Sequence, residues 1–482
     1  MKAKKKRSPL RRVLRGIAWL IAVFIAFHIA AGIIPFLRLP PPDAAMIELC
    51  EARADEMQFD HPTGDRAAIL ETSLSALDER MRLIARAERE VVIVTYECHD
   101  GESTRDILAA ALDRADAGVR VRFLVDGIAG RLDHMDADLF RAVASHPNVE
   151  VRFYNLITQY TPWKHMGRMH DKYVIADDFA YILGGRNMFD KFIGDYPSPI
   201  HSLDREALVF NSDDSQDSSL FALREYFEGM WDHPETRAFD PKGRISDERR
   251  DAVYDELRQR WADIRRDKPE LFEPVDYLDF TEPTGGVWLV SNPTTIYAKQ
   301  PGVFTQLATL MRRAEKDVVI HSPYAVLNRD MEDALRDIAA RVPVTLMVNA
   351  VGTGANVVAS GDYLYHRNEV LSTGVRLLEK CLGDSYHGKA IAIDDDLSII
   401  GSFNLDMRSA YVDTELMLVI QGASINARLR RHMETLHADC REVTHPGQSL
   451  VPESAEISRV PWWKLAMMYA LGAVLQPVRN LL

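Results

Sequence analysis

The chain has 482 residues, 47% apolar and 27% charged, a balance that excludes a disordered polymer and leaves room for two globular units. Its net charge is −13, and because the first fifteen residues hold eight Lys or Arg and no acid, everything after them sums to −21. So acidic a body repels polyanions, and nucleic acid is not expected as a partner.

Residues 16–37, GIAWLIAVFIAFHIAAGIIPFL, form an uncharged apolar run of 22 residues, enough for one helical crossing of a bilayer. The run exceeds the apolar stretch of a cleaved leader, and no small-x-small site precedes Pro40-Pro41-Pro42, so residues 1–40 read as a basic flank and an uncleaved transmembrane helix. Retention of the cationic flank in the cytoplasm sends the following chain across. The expectation is a single-pass cell-membrane protein with an extracytoplasmic body. His28 within the span is expected to be a neutral ring facing headgroups or a partner segment. Cys50, Cys98, Cys381 and Cys440 form no Cys-x-x-Cys pair, which points to free thiols rather than a zinc or dithiol site.

Beyond residue 40 the sequence repeats itself. RAEREVVI at 86–93 returns as RAEKDVVI at 313–320, VRVRFLV at 119–125 as VPVTLMV at 342–348, and VEVRFY at 149–154 as GVRLLE at 374–379. Leu74, Leu77, Met81 and Ile84 lead into the first copy at helical spacing, as do Phe304, Leu307 and Met311 into the second. Helix and strand patterns alternate throughout, giving an α/β class with two lobes, each a mixed sheet flanked by helices, at 41–211 and 286–445. Residues 212–285 read as a polar helical connector whose charge runs are solvated faces. Residues 446–482 end in VPWWKLAMMYALGAVLQPVRNLL, too short to cross a bilayer, which fits an amphipathic interfacial tail or a core-packed terminal helix.

One constellation is written twice. MHDKYVIADDFAYILGGRN places His170, Lys172, Asp177, Gly184, Gly185 and Asn187 in a pattern that YHGKAIAIDDDLSIIGSFN reproduces as His387, Lys389, Asp394, Gly401, Ser402 and Asn404. Strand alternation puts His and Lys on one face, and the Asp-rich turns fold each copy into a hairpin that brings Asn187 opposite His170 and Asn404 opposite His387. Such a set suits a tetrahedral phosphate. Lysine neutralises nonbridging oxygens, the phosphate-binding Asn187, Asn404 and Ser402 donate to them, and two histidines can serve as nucleophile and general acid. The two lysines supply charge that a divalent metal provides elsewhere, and no metal or other cofactor is called for. Asp177 and Asp394 complete the catalytic motifs, with capping of the hairpin turns as their favoured role. A nucleophilic imidazole needs its other nitrogen held by a carboxylate; Asp204 or Glu206 is the candidate for the first histidine and Glu415 or Asp413 for the second, with Asp204 and Glu415 preferred.

These residues resemble the duplicated motif H-x-K-x(4)-D-x(6)-G-[GS]-x-N of the phospholipase D superfamily. The segment Gly401-Ser402-Phe403-Asn404-Leu405-Asp406-x-Arg408-Ser409, the preceding HPNVEVRFYN and the Trp462-Trp463 tail are similar to the bacterial cardiolipin synthase branch. The resemblance implies pseudo-twofold lobes meeting at one cleft and a covalent phosphatidyl-histidine intermediate. It assigns attack to His170, proton transfer to His387, and the holding of the phosphodiester to Lys172, Lys389, Asn187 and Asn404. It further implies cardiolipin synthesis from phosphatidylglycerol and a second phospholipid, within a bilayer. A phospholipase D hydrolysing phospholipid to phosphatidate is the alternative, followed by a nuclease and by a noncatalytic lipid binder. Two departures stand out: many bacterial cardiolipin synthases have two N-terminal membrane segments where this chain shows one, and position 413 is Asp where the branch often has Asn.

Overall fold

The computed structural model describes residues 9–58, 63–130, 137–354, 356–445, 448–450 and 460–482. Most of the basic flank and residues 446–447 and 451–459 of the expected tail lie outside it.

Each lobe is built on a nine-stranded mixed sheet; eight strands run in the same order in both, and each sheet adds one edge strand at the opposite margin. In the first, the order across the sheet is Glu282–Pro283, Asp65–Leu70, Glu206–Asn211, Ala180–Gly184, Tyr173–Ala176, Glu90–Thr95, Arg120–Asp126, Val149–Tyr154 and Thr236–Ala238. In the second, Gly286–Ser291, Leu416–Gln421, Leu397–Gly401, Ala390–Ile393, Val318–His321, Val344–Asn349, Arg376–Lys380 and Cys440–His445 repeat the path from Asp65–Leu70 onward, and Gln448–Leu450 is added at the far edge. The central strands are buried on both faces, as their continuous apolar runs require.

The sheets share an inner core. Val92, Ile175, Tyr181 and Val209 of the first pack with Ala392, Ile400, Leu418 and Ile420 of the second, together with Leu223 and Phe227 of the helix Ser219–Trp231 and Leu429 of the helix Ala423–His437. Outer helices cover the opposite faces and bury Leu77, Met81 and Ile84 in one lobe and Phe304, Leu307 and Met311 in the other.

Residues 212–285 are not a detached linker. Thr236–Ala238 and Glu282–Pro283 are edge strands of the first sheet, and the helix Asp247–Asp267 buries Val253, Tyr254, Leu257 and Trp261 against the helices Glu102–Asp116 and Asp138–Ala144 that cover it. That apolar stripe, spaced at helical intervals beneath the charges, explains why a segment of polar composition joins the lobe. The four cysteines are buried.

Two helices lie outside this frame. The helix Pro9–Ile33 is exposed along its apolar length, and Val13–Phe36 is long and apolar enough to cross a bilayer. The C-terminal helix Trp462–Leu475 packs one face on the helix Val357–Ser372, where a Cβ at Gly472 would come within 2.5 Å of the Gly361 carbonyl. Its other face leaves Trp462, Trp463, Met467 and Val474 exposed, so the helix is packed on one side and presents an uncovered apolar face on the other.

Candidate active site

The hairpins form as the motif demands. Tyr173–Ala176 pairs antiparallel with Ala180–Gly184, and Ala390–Ile393 with Leu397–Gly401. Each turn spans three residues, so extending the register sets His170 against Arg186 and His387 against Phe403, one residue short of the expected Asn187 and Asn404. Both asparagines nevertheless line a cleft of about 460 Å³ between the lobes, together with His170 and His387. Asn187 Nδ2 donates to Glu97, and the carboxamide oxygens Asn187 Oδ1 and Asn404 Oδ1 are buried with no partner among the described residues. As acceptors they are placed to take a hydrogen bond from a donor such as a ligand hydroxyl.

The carboxylate assignments require correction. Asp204 and Glu415 are the two partners, but each serves the histidine of the opposite lobe: Glu415 Oε1 lies 2.9 Å from His170 Nδ1, and Asp204 Oδ2 lies 2.6 Å from His387 Nδ1. The cause is a reciprocal exchange of short strands. Ser385–Tyr386 runs parallel to Ser202–Leu203, with the His387 amide donating to the Leu203 carbonyl, while Met169 bridges to Thr414 and the His170 amide reaches the Thr414 carbonyl. Every motif histidine is therefore held by backbone and side chain of the other lobe. Glu206 instead pairs with Arg80 and Arg186, and Asp413 with Arg408 and the Arg168 amide.

Ser402 also departs from expectation. It is buried, and its hydroxyl donates to Glu415 rather than facing the cleft, while Ser409 donates to the other oxygen of the same carboxylate. Its counterpart Gly185 cannot carry a side chain, since a Cβ there would lie 2.4 Å from Asp204 Oδ1.

Asp177 and Asp394 lie at the far ends of the hairpins, on the order of 16 Å along the strand from the lysines, and do not line the cleft. Asp177 accepts the amides of Glu88, Arg89 and Glu90, and Asp394 those of Glu315, Lys316 and Asp317. Those amides belong to the repeated RAExxVVI segment, so that repeat and the motif aspartates are halves of one clamp. Their place among the catalytic groups is thus corrected to a structural one.

Between the hairpins, Lys172 Nζ donates to the His170 carbonyl, and Lys389 Nζ lies 3.1 and 3.2 Å from the two ring nitrogens of His387. Burial, reinforced by mutual repulsion with Lys389, brings Lys172 down to about 7; burial alone brings Lys389 to about 8, against the pull of Asp204. Burial and then Lys389 lower His387 to about 3, and burial and the two lysines take His170 well below its ordinary value. Both imidazoles are neutral at pH 7 in the free cleft. The carboxylates differ: burial pushes Glu415 up to about 8, whereas His387, Lys389 and Arg186 overcome burial to hold Asp204 below the usual carboxylate range.

Several site residues lay outside the motif reading. Tyr96 stands edge-on to His170 at 5.1 Å and Phe192 is tilted against His387 at 4.8 Å, walling the two rings. Asp126 accepts the Met169 amide and Asn349 the Tyr386 amide, so each fixes the residue before a motif histidine. These two stand one position past the repeated VRVRFLV and VPVTLMV, where continuing the alignment would have found them.

The same two-lobed arrangement is found in relatives. The model of the cardiolipin synthase, PLD-like domain matches residues 81–231 and 307–437, one segment in each lobe. The chain belongs to this phospholipase D-like family. Cardiolipin synthase C of Escherichia coli is 27% identical over 432 residues, covering 80% of this chain and 86% of the relative. An uncharacterised protein of Helicobacter pylori is 26% identical over 413 residues, covering 77% of this chain and 79% of its own. The crystal structure of phosphatidylserine synthase from Haemophilus influenzae superposes with a TM-score of 0.63 at 13% identity, covering 90% of this chain and all of that one. The fold of this phospholipase D-like chain is thus one shared by paired lobes about a single cleft.

Proposed function

We propose that the protein is a membrane-anchored phosphatidyltransferase that makes cardiolipin from phosphatidylglycerol and a second phospholipid. The observation that carries this reading is the pair of imidazoles, one from each lobe, lining a single cleft with Nδ1 of each engaged by a carboxylate. An Nδ1–H donated to carboxylate leaves Nε2 for chemistry and stabilises the ring when it becomes cationic.

His170 Nε2 attacks the phosphorus of the donor lipid, forming a P–N bond as the P–O bond to the departing alcohol breaks. His387, protonated once the anionic phosphodiester lies beside it, gives its proton to that alcohol oxygen. The terminal hydroxyl of phosphatidylglycerol then returns a proton to His387 and attacks phosphorus, and the P–N bond breaks. Lys172, Lys389, Asn187 and Asn404 hold the nonbridging oxygens through both steps. The relatives named as cardiolipin and phosphatidylserine synthases support this class of acceptor, and the apolar helix at the front of the chain supports lipid access. The basic flank supports an extracytoplasmic side for the body.

Purified protein supplied with headgroup-labelled phosphatidylglycerol in vesicles tests the reading. Cardiolipin with an equal release of glycerol is expected, and His170→Ala and His387→Ala each abolish it. Phosphatidate as the sole lipid product would instead identify a hydrolase, and unchanged synthesis in either variant would remove this cleft from the chemistry.

A further inference from the structure

The strand Val149–Tyr154 is followed by fifteen residues before His170, whereas the equivalent strand Arg376–Lys380 is followed by only six before His387. The duplicate folds without the extra length, so the fold does not need it. Its tip, Thr158–Trp163, is uncharged and leans on the N-terminal helix: His28 Nε2 lies 2.9 Å from the Gln159 carbonyl, and Gly32 faces the Pro162 carbonyl.

That contact fixes a depth. A hydrocarbon core of about 30 Å takes about 20 helical residues, and however such a frame is placed within Val13–Phe36, His28 sits four or more residues from its end. At about 1.5 Å per residue, that is about 6 Å or more inside the boundary. The loop beside it shares that level. Its side chains suit the place, with Tyr160 76% and Trp163 37% exposed.

Backbone polar groups are the usual barrier to a loop at such depth, and here the carbonyls of Thr158, Gln159, Thr161 and Pro162 all have partners. The Thr158 carbonyl accepts from the Thr161 amide and from His165 Nε2, the Gln159 carbonyl faces His28, and the Thr161 and Pro162 carbonyls accept from the amides of Lys164 and His165. The hydroxyls of Thr158 and Thr161 bond to each other. Asn155 Nδ2 donates to the carbonyls of Lys164 and Gly167, which stiffens the base of the loop.

We propose that Thr158–Trp163 is inserted into the bilayer alongside the N-terminal helix and sets the cleft at headgroup height. This rests on the membrane reading of that helix. Seven steps along the chain separate Trp163 from His170, so the cleft lies within about 25 Å of the end of the inserted loop.

The four native cysteines are buried, so a single introduced thiol can be labelled selectively. Full-length Tyr160→Cys, carrying an environment-sensitive fluorophore, is reconstituted into vesicles of phosphatidylethanolamine and phosphatidylglycerol, with Ile25→Cys as the label within the span. Blue-shifted emission at both positions is expected, quenched at 160 by lipids bearing a shallow nitroxide and at 25 by lipids bearing a deep one. Quenching at position 25 but water-like emission at position 160 overturns the insertion alone. A blue shift at 160 that lipid nitroxides do not quench assigns the loop to a protein partner and also overturns it. Water-like emission at both positions overturns the membrane helix itself, and the insertion with it.

Discussion

Asp204 of the first lobe lies 2.6 Å from Nδ1 of His387 in the second, and Glu415 makes the reciprocal contact to His170. Neither lobe therefore supplies both members of a motif histidine–carboxylate pair. Replacing either carboxyl group by its amide keeps the size but can turn an N–H toward Nδ1, so the ring can settle in the wrong tautomer. Asp204→Asn and Glu415→Gln should each lower kcat by about 10²–10⁴-fold. In histidine-resolved NMR, Asp204→Asn should move the His387 resonance and leave His170 nearly unchanged. Movement of His170 instead would contradict the exchanged pairing.

The small residues beside the two carboxylates are not interchangeable. Glu415 takes a hydroxyl hydrogen bond from Ser402, whereas the space at Gly185 is filled by Asp204. Gly185→Ala would push the Asp204 carboxylate off His387, and a displacement near 1 Å at a catalytic centre costs about 10²-fold in rate. Ser402→Ala removes one charge-assisted bond and leaves the carboxylate in place, so a smaller loss, about 10-fold, is expected. Steady-state rates of the two variants, on protein shown to be folded by circular dichroism, check the order. Equal losses would mean that the crowding at 185 is relieved elsewhere.

Asp177 and Asp394 should matter for stability and not for turnover. Each holds three backbone amides and has a left-handed φ, 47° and 48°. Asp177→Ala loses the acceptors and puts alanine in a conformation that asparagine tolerates better. A destabilisation of about 2–3 kcal/mol is expected for Ala, and less for Asn. The measurement is denaturant unfolding alongside kcat per folded molecule. A normal unfolding midpoint with abolished turnover would return the aspartates to the chemistry.

What was legible in the sequence follows from where each signal resides. The hairpins and the lobe duplication are local patterns, and His170, Lys172, His387 and Lys389 were recognisable from spacing because strand alternation is itself local. The exchange was not, because it depends on parallel bridges between residues far apart in the chain, Met169 with Thr414 and Ser385 with Ser202, that impose no periodicity on either segment. Asp204 and Glu415 were found because they sit at equivalent positions, just before strands that pair with Gly184 and Gly401, but equivalence does not reveal which histidine each reaches. Tyr96 and Phe192 carry no motif at all; packing alone brings them to the rings. The edge strands within 212–285 were hidden by charge, since two or three residues at a sheet margin are too few to show alternation.

The lysines and histidines of the free cleft make a pH signature with a definite sign. Lys172 and Lys389 titrate near 7 and 8 in the folded protein against an ordinary 10.5, so between those limits the unfolded chain binds more protons and stability rises with pH. His387, held near 3 against an ordinary 6.5, acts in the same direction at lower pH: its contribution is complete above about 6.5 and is lost as pH falls toward 3. A phosphate oxyanion between the lysines reverses the repulsion, restores proton affinity to Lys172, Lys389 and His387, and so binds with proton uptake. Vanadate or inorganic phosphate should therefore raise the melting temperature more at pH 6.5 than at pH 9. Lys389→Met removes one of two repelling charges, lets Lys172 and His387 return toward their ordinary values, and flattens the rise in melting temperature between pH 7 and pH 10. Calorimetry at several pH values, with and without oxyanion, measures both effects. A ligand-induced shift independent of pH would mean that the anion does not sit between these cations.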